Sequence, residues 1–430
     1  MPSERFRARP GARAKWTCAA LAVMLLATPA IGAEIAAQRV ASVDPHALTP
    51  LLPQTAAGES VSWPTNGWPA STPEAQGIDS RVLAGALVEI RARRIPIHSL
   101  LIERHGSIVL DTYFRPFADH RTHNVYSVAK SVTSMLVGIA LARHELADLN
   151  APVLPLLAME RNDDARKAHI TLAQLLSMTS GLDCSTQGGE SLLQRMLKSR
   201  HMAAYMLDQP VAADPGTQFQ YCGGNSEIVS TVLTRTTGAS ALELARRELF
   251  EPLGISHVSW PTDADHVSHG FGDLMLEPRD MAKLGYLWLH NGHWENRQVV
   301  PAEYLAEALS GHASVQPGID YGYGMWLYPG HTPVDFEANG TGGQRITVIP
   351  SLDMVEVTTG GGFDANDVAK MIAGAPRSDT AIAANPEGNA RLATLVAEAA
   401  GADSLAELRP VRRSSHRTHR SEPLVLAANR

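Results

Sequence analysis

The chain has 430 residues, 44% of them hydrophobic and 19% charged, with a formal net charge of −7. That length fits two or three modest domains, or one large domain carrying an insertion. The apolar fraction excludes a largely disordered chain, and the negative charge argues against a general nucleic-acid binder.

The first 33 residues read as a signal peptide. Arg5, Arg7, Arg9, Arg13 and Lys15 face one acid, Glu4, and an apolar run follows from Trp16 to Ala27. A spanning helix needs roughly 20 residues, which this run does not reach. Small residues at Ala30, Gly32 and Ala33 complete the secretory pattern, with cleavage expected after Gly32 or Ala33. An uncleaved anchor is the alternative. The sequence thus predicts a periplasmic or secreted protein with no stable membrane anchor after processing. Two cysteines remain, Cys184 and Cys222. They permit one disulfide, or two buried thiols.

Residues 34–75 are rich in Pro, Ser, Thr and Ala and read as a loosely ordered lead-in. Asp79 is placed to cap a helix with Leu83, Ala86, Leu87 and Ile90 on one face. His105-Gly106 splits the β-rich stretch Ser99–Leu110 into a hairpin. Val128, Val132, Met135, Leu136 and Ile139 predict a helix over 127–146. The stretch 150–310 reads as mostly helical, with candidates at 171–178, 225–237, 240–250, 280–290 and 301–309. Strands are predicted at Tyr321–Tyr328, Gln344–Ile349 and Met354–Thr359, then a helix over Asn389–Ala400. The fold class is α/β of the α+β kind: the β-rich ends join in one sheet, flanked by helices, around an inserted all-α region. The compact domain spans 76–400, and the Arg-rich tail 401–430 reads as disordered.

Ser127-Val-Ala-Lys130 opens the long helix. Residues three apart share a helix face, so Lys130 can reach Ser127, and serine needs a base to become a nucleophile. A helix start also offers unpaired N–H groups and a dipole that favours negative charge. The plain alternative is a capping serine and an exposed lysine. Tyr221, at the end of Pro215-Gly-Thr-Gln-Phe-Gln-Tyr221, could relay a proton, or simply pack. Gly340-Thr341-Gly342-Gly343-Gln344 precedes a strand and could present a backbone N–H to a developing oxyanion, or could be a plain turn. His266/His269 and His290/His293 have metal-like spacing but lack Cys or clustered carboxylates, so no metal and no cofactor are expected.

These segments, in this order, resemble the serine β-lactamase-like superfamily. That group includes class C β-lactamases, DD-peptidases, family VIII esterases and 6-aminohexanoate-dimer hydrolases. The resemblance runs over about 65–400, through Asn124–Ser131, Leu175–Leu182, Pro215–Tyr221, Glu277–Gly285 and Gly340–Gln344. It implies a β-lactamase/DD-peptidase-like fold, an antiparallel sheet with helices and an all-α region. It implies Ser127 as nucleophile, Lys130 and Tyr221 as proton carriers, and the Ser127 and Gln344 N–H groups as the oxyanion hole, with Thr341, Gly342 and Gly343 lining the substrate site. It also brings Cys184 and Cys222 beside the site, and a disulfide between them is expected.

Two departures matter. The family's Tyr-x-Asn reads Tyr221-Cys222-Gly223 here, with Asn225 two positions late. The third motif, which often begins with Lys or His, has Thr341. Losing that cation weakens a β-lactamase or D-Ala-D-Ala peptidase reading. The expectation is an exported serine hydrolase that cleaves a small ester or linear amide through an acyl-enzyme. The nearest rival is a β-lactamase or D-Ala-D-Ala peptidase on the same fold, and the rival of another class is a non-catalytic binding protein that retains it.

Overall fold

The computed structural model describes residues 63–160 and 163–401. Strands β1 (Ile97–Arg104) and β2 (Ser107–Tyr113) form the expected hairpin. Its turn residues, His105 and Gly106, take φ of +51° and +76°, the left-handed pair that a two-residue hairpin requires. The C-terminal part adds β7 (Ala313–Gln316), β8 (Ile319–Tyr321), β9 (Trp326–Tyr328), β10 (Asp335–Gly340), β11 (Gln344–Ile349) and β12 (Met354–Gly360). Strand order is β2-β1-β12-β11-β10-β9-β8-β7, antiparallel throughout. Leu101 of β1 lies opposite Val357 of β12, so the two β-rich ends do join in one sheet.

The period of two sorts the strand residues between two cores. Leu100 and Ile102 pack under α1 (Ser80–Ala92), α11 (Ala365–Ile372) and α12 (Pro386–Ala399). Leu101, Ile346, Val348, Val355 and Val357 face the larger core with α2 (Val128–Ala142) and α9 (Pro278–Leu289). Asp79 caps α1 by accepting the Arg81 N–H at 3.0 Å, a bond worth about 1 kcal/mol. Helix α2 carries the expected apolar face, but it is buried all round from Val128 to Ala140, with the polar Lys130, Ser131, Thr133 and Ser134 included. Helix α9 comes so close to the sheet that a Cβ on Gly285 would lie 2.5 Å from Val355 Cγ1.

Between β2 and β7 the chain is mostly helical. It holds α3 (Val153–Leu156), α4 (Leu172–Leu176), α5 (Leu192–Met196), α6 (Met202–Leu207), α7 (Gly223–Thr237), α8 (Ala241–Ala245) and α10 (Ala302–Ala308), besides α2 and α9. Two short ladders interrupt it: β3 (His123–Asn124) with β4 (Met275–Leu276), and β5 (His293–Trp294) with β6 (Arg297–Gln298).

Several boundaries differ from expectation. The 127–146 helix stops at Ala142, where His144 turns left-handed at φ +57°. The 240–250 helix is a short α8 that continues as a π-helical turn, Arg246–Phe250. The single strand expected over Tyr321–Tyr328 is two, β8 and β9, separated at Gly322–Gly324. A Cβ on Gly322 would lie 2.0 Å from the Ala308 carbonyl oxygen, and Gly324 takes φ +75°. The signal peptide, the lead-in up to residue 62 and the tail from 402 lie outside the described residues. Residues 63–75 of the lead-in are packed: Trp63 contacts Tyr286 and Trp294, and Trp68 Nε1 donates to the Arg279 carbonyl at 3.1 Å. Among the described residues no helix is long and apolar enough to cross a membrane.

Candidate active site

Ser127 stands at the N-terminal end of α2 with αR backbone, half-buried. The residue before it, Tyr126, takes φ +47°, costly for a bulky side chain by about 1–3 kcal/mol. Asn124 supports that turn: its Oδ1 accepts the Tyr126 N–H at 2.8 Å. One turn into the helix, Lys130 Nζ donates to Ser127 Oγ at 2.7 Å. The same nitrogen donates to the Phe271 carbonyl at 2.7 Å. Lys130 is only 5% exposed, and among the described residues no acid pairs with it. Burial therefore lowers its pKa to about 7.

The Tyr221 hydroxyl faces the Ser127 side chain, and Lys130 Nζ lies 5.2 Å from the Tyr221 ring centre. Burial of the hydroxyl end pushes the phenol up to about 12, against the smaller lowering influence of Ser127. The ring itself is 37% exposed and is held by other aromatics. It stacks on Trp326 at 5.5 Å and meets Tyr321 edge-on at 6.1 Å.

The third expected segment forms the hairpin between β10 and β11. Gly340 touches the serine segment: a Cβ there would lie 2.3 Å from the Val125 carbonyl oxygen and 3.3 Å from Ser127 N. Gly342 and Gly343 turn the chain with φ of +87° and +91°, and Thr341 is exposed at the tip. Gln344 pairs across the hairpin with Gly340. Its side chain turns away to β12, where it exchanges hydrogen bonds with the Gly360 backbone at 2.6 and 3.1 Å. The residue brought against Ser127 N is therefore Gly340, with Gln344 one cross-strand step further.

Cys184 and Cys222 form a disulfide, with Cα atoms 5.8 Å apart. Cys222 is the N-cap of α7 and adjoins Tyr221. Asn225 is buried and engaged elsewhere: its Oδ1 accepts from Ser180 Oγ at 2.9 Å. It pins the Leu175–Leu182 segment to α7. Lysine Nζ instead finds its second acceptor in the Phe271 carbonyl, which no side-chain pattern could reveal.

Ser127, Lys130, Tyr221 and the Gly340 backbone thus converge from α2, the start of α7 and the end of β10. Lys130, its pKa lowered by burial, lies beside the Ser127 hydroxyl, next to a helix N-terminus.

A family model described as Beta-lactamase matches residues 83–373. The chain belongs to the beta-lactamase family. It is a hydrolase of that family, with the family's fold. A 6-aminohexanoate-dimer hydrolase of Paenarthrobacter ureafaciens is 25% identical over 280 residues, 59% of this chain and 69% of the relative. A Bacillus anthracis structure, provisionally described as a 6-aminohexanoate-dimer hydrolase, aligns with a TM-score of 0.59 at 20% identity, over 73% of this chain and 88% of its own. EstCE1, described as a hydrolase with promiscuous acyltransferase activity, aligns with a TM-score of 0.59 at 16% identity, over 70% of this chain and 99% of its own. At these identities the solved structures establish the fold alone.

Other cavities among the described residues have linings that do not include Ser127. One of about 480 Å³ is lined by Asp111, His257, Glu277, Arg279, Asp280 and Lys283. Its charges pair among themselves: Arg279 with Asp111, His257 with Glu277, Lys283 with Asp280. Three of the four metal-spaced histidines are likewise engaged. His269 bonds Asp273, and His290 and His293 pack around Trp63.

Proposed function

We propose that the chain is an exported serine hydrolase that cleaves a small, uncharged ester or linear amide through an acyl-enzyme on Ser127. The observation that carries this reading is the buried, acid-free Lys130 bonded to Ser127 Oγ. A lysine poised near neutrality is partly unprotonated at working pH, and its free pair can take the serine proton.

The steps follow. Ser127 Oγ attacks the substrate carbonyl carbon while its proton passes to Lys130 Nζ. The oxyanion forms beside the Ser127 N–H and a backbone N–H of the Gly340–Gln344 hairpin. Tyr221, protonated at rest, hands its proton to the leaving oxygen or nitrogen and recovers one from Lys130. The C–O or C–N bond breaks and leaves the acyl-enzyme. Water then attacks, loses a proton through the same groups, and the acid departs as Ser127 Oγ is reprotonated. No cofactor is needed.

An uncharged substrate is favoured because no cation stands at Thr341. Arg345, four residues on, is buried with its guanidinium bonded to Asn366 Oδ1 and the Ala365 carbonyl. Neither supplies the partner that a β-lactam or peptide carboxylate needs. Export is supported by the basic and apolar start, and by the disulfide, which suits an oxidising compartment.

The test is a substrate panel on the purified mature protein: short p-nitrophenyl esters, a linear 6-aminohexanoate dimer, a cephalosporin and a D-Ala-D-Ala peptide. Turnover of an ester or the linear amide, abolished by Ser127→Ala, is expected. A kcat/KM higher for the cephalosporin or the peptide than for every ester and linear amide overturns the substrate class.

A further inference from the structure

Asn124 touches no reacting group, yet its amide joins the two segments that place them. Its Oδ1 holds the Tyr126 N–H, and so the left-handed turn that delivers Ser127. Its Nδ2 donates to Asp273 Oδ1 at 2.9 Å. Asp273 lies two residues beyond Phe271, whose carbonyl accepts from Lys130 Nζ. The second carboxylate oxygen of Asp273 accepts from His269 Nδ1 at 2.9 Å, and the His269 ring stacks on Phe271 at 5.1 Å. One carboxylate thus straddles the Phe271 peptide and reaches across to the serine segment.

The backbone runs alongside. Val125 N donates to the Leu274 carbonyl at 2.9 Å, and Asn124 pairs with Met275 in the β3–β4 ladder. On the near side α2 makes one further bond, Thr133 Oγ1 to the Gly270 carbonyl at 3.4 Å, longer than the Asn124–Asp273 bond. Other braces act on the far side of the loop. Gly270 N donates to Glu227 Oε2 at 3.0 Å, and Trp260 Nε1 donates to the His269 and Gly272 carbonyls. These hold the loop to the body of the protein but do not touch the Ser127 segment.

We propose that Asn124 and Asp273 form a positioning pair whose hydrogen bond registers the Lys130 acceptor, the Phe271 carbonyl, against the Ser127 turn. The pair sets the distance between nucleophile and base from outside the site. This rests on Ser127 and Lys130 acting as proposed above.

The test exchanges donor and acceptor in the full chain. Asn124→Asp sets two carboxylates at hydrogen-bonding distance and should slow fluorophosphonate labelling of Ser127 by about thirtyfold or more. Asp273→Asn keeps an acceptor for Asn124 and should stay within about threefold of the wild type. The double variant N124D/D273N restores one donor facing one acceptor, and should recover labelling to within about fivefold. With an ester substrate, the loss in N124D should fall on kcat and leave KM largely unchanged.

Melting temperatures of all four proteins separate positioning from mere stability. A double variant that melts like the wild type but labels as slowly as N124D overturns the pair. So does N124D labelling at the wild-type rate. If N124D does not fold, the alanine cycle decides: N124A/D273A should cost less than the sum of the two single changes, and full additivity overturns the coupling. Wild-type labelling with no rescue leaves the serine hydrolase reading intact and removes this inference. A folded wild type that never labels removes both.

Discussion

Lys130 Nζ lies 5.2 Å from the centre of the Tyr221 ring, and the hydroxyl of that tyrosine faces the serine to which the lysine is bonded. The two groups share one nucleophile, but burial moves their proton affinities apart, Lys130 down to about 7 and Tyr221 up to about 12. That separation assigns the work: the lysine gains and loses protons near neutrality, while the tyrosine stays a donor.

The pH profile follows directly. The neutral fraction of Lys130 grows as pH rises through about 7. On ester substrates, kcat/KM should rise over that range and then level, with no fall from tyrosinate formation below about pH 10. Lys130→Met should lower kcat by about a thousandfold or more. It should also stabilise the protein. A lysine whose folded pKa lies below its unfolded value keeps its stability contribution above the unfolded pKa of 10.5 and loses it as pH falls toward 7. Melting curves of the variant at pH 7 and pH 10 check the sign: the gain should be larger at pH 7.

Tyr221 depends on its neighbours for its place, since more than a third of it is exposed. Trp326 stacks against it and Tyr321 meets it edge-on. Trp326→Ala should lower kcat about tenfold or more through misplacement of the hydroxyl, with KM moving less. Trp326→Phe should restore most of the rate. Steady-state kinetics on one ester, with melting curves as control, measures both.

Much of this architecture is legible in residue order. The hairpin at His105-Gly106 shows because its strands are apolar and its turn residues tolerate positive φ. The Ser127–Lys130 contact shows because i, i+3 spacing on a helix is rigid. Strand β10 does not show. Its Asp335, Glu337 and Asn339 look like loop residues, but Glu337 is buried, bonded to Tyr328 OH and Asn339 and 3.4 Å from Arg345. Polar strands hidden by cross-strand partners defeat a hydrophobicity pattern. The Phe271 carbonyl stays hidden for another reason: any residue can present a backbone oxygen, so its identity carries no signal.

The disulfide links structure to both stability and rate. Cys184 and Cys222 are 38 residues apart, and closing such a loop is worth about 4 kcal/mol on the loop-entropy scale. Cys184→Ser with Cys222→Ser should lower denaturation stability by up to that amount. It should also reduce kcat, because Cys222 fixes the backbone next to Tyr221. Urea unfolding with and without reductant, read beside activity, tests the two effects separately.

Glu227 lies fully buried in α7 beneath the Phe271 loop, accepting one backbone N–H while its other oxygen has no hydrogen-bond partner among the described residues. Burial raises its pKa well above the usual carboxylate range. Below the unfolded pKa near 4.5 both states are protonated and nothing is lost. As pH rises, the unfolded chain ionises first and folding weakens. Glu227→Gln should therefore raise the melting temperature at pH 8 and change it little at pH 4. A gain that is instead larger at pH 4 contradicts the buried neutral acid.

The central claim is that Lys130 activates Ser127. The most direct measurement is the intact mass of the mature protein after treatment with a fluorophosphonate probe, alongside Ser127→Ala and Lys130→Met. The account predicts one adduct on the wild type, none on Ser127→Ala, and labelling of Lys130→Met slower by about a thousandfold. Labelling of Ser127→Ala to the same extent, or of Lys130→Met at the wild-type rate, would contradict it.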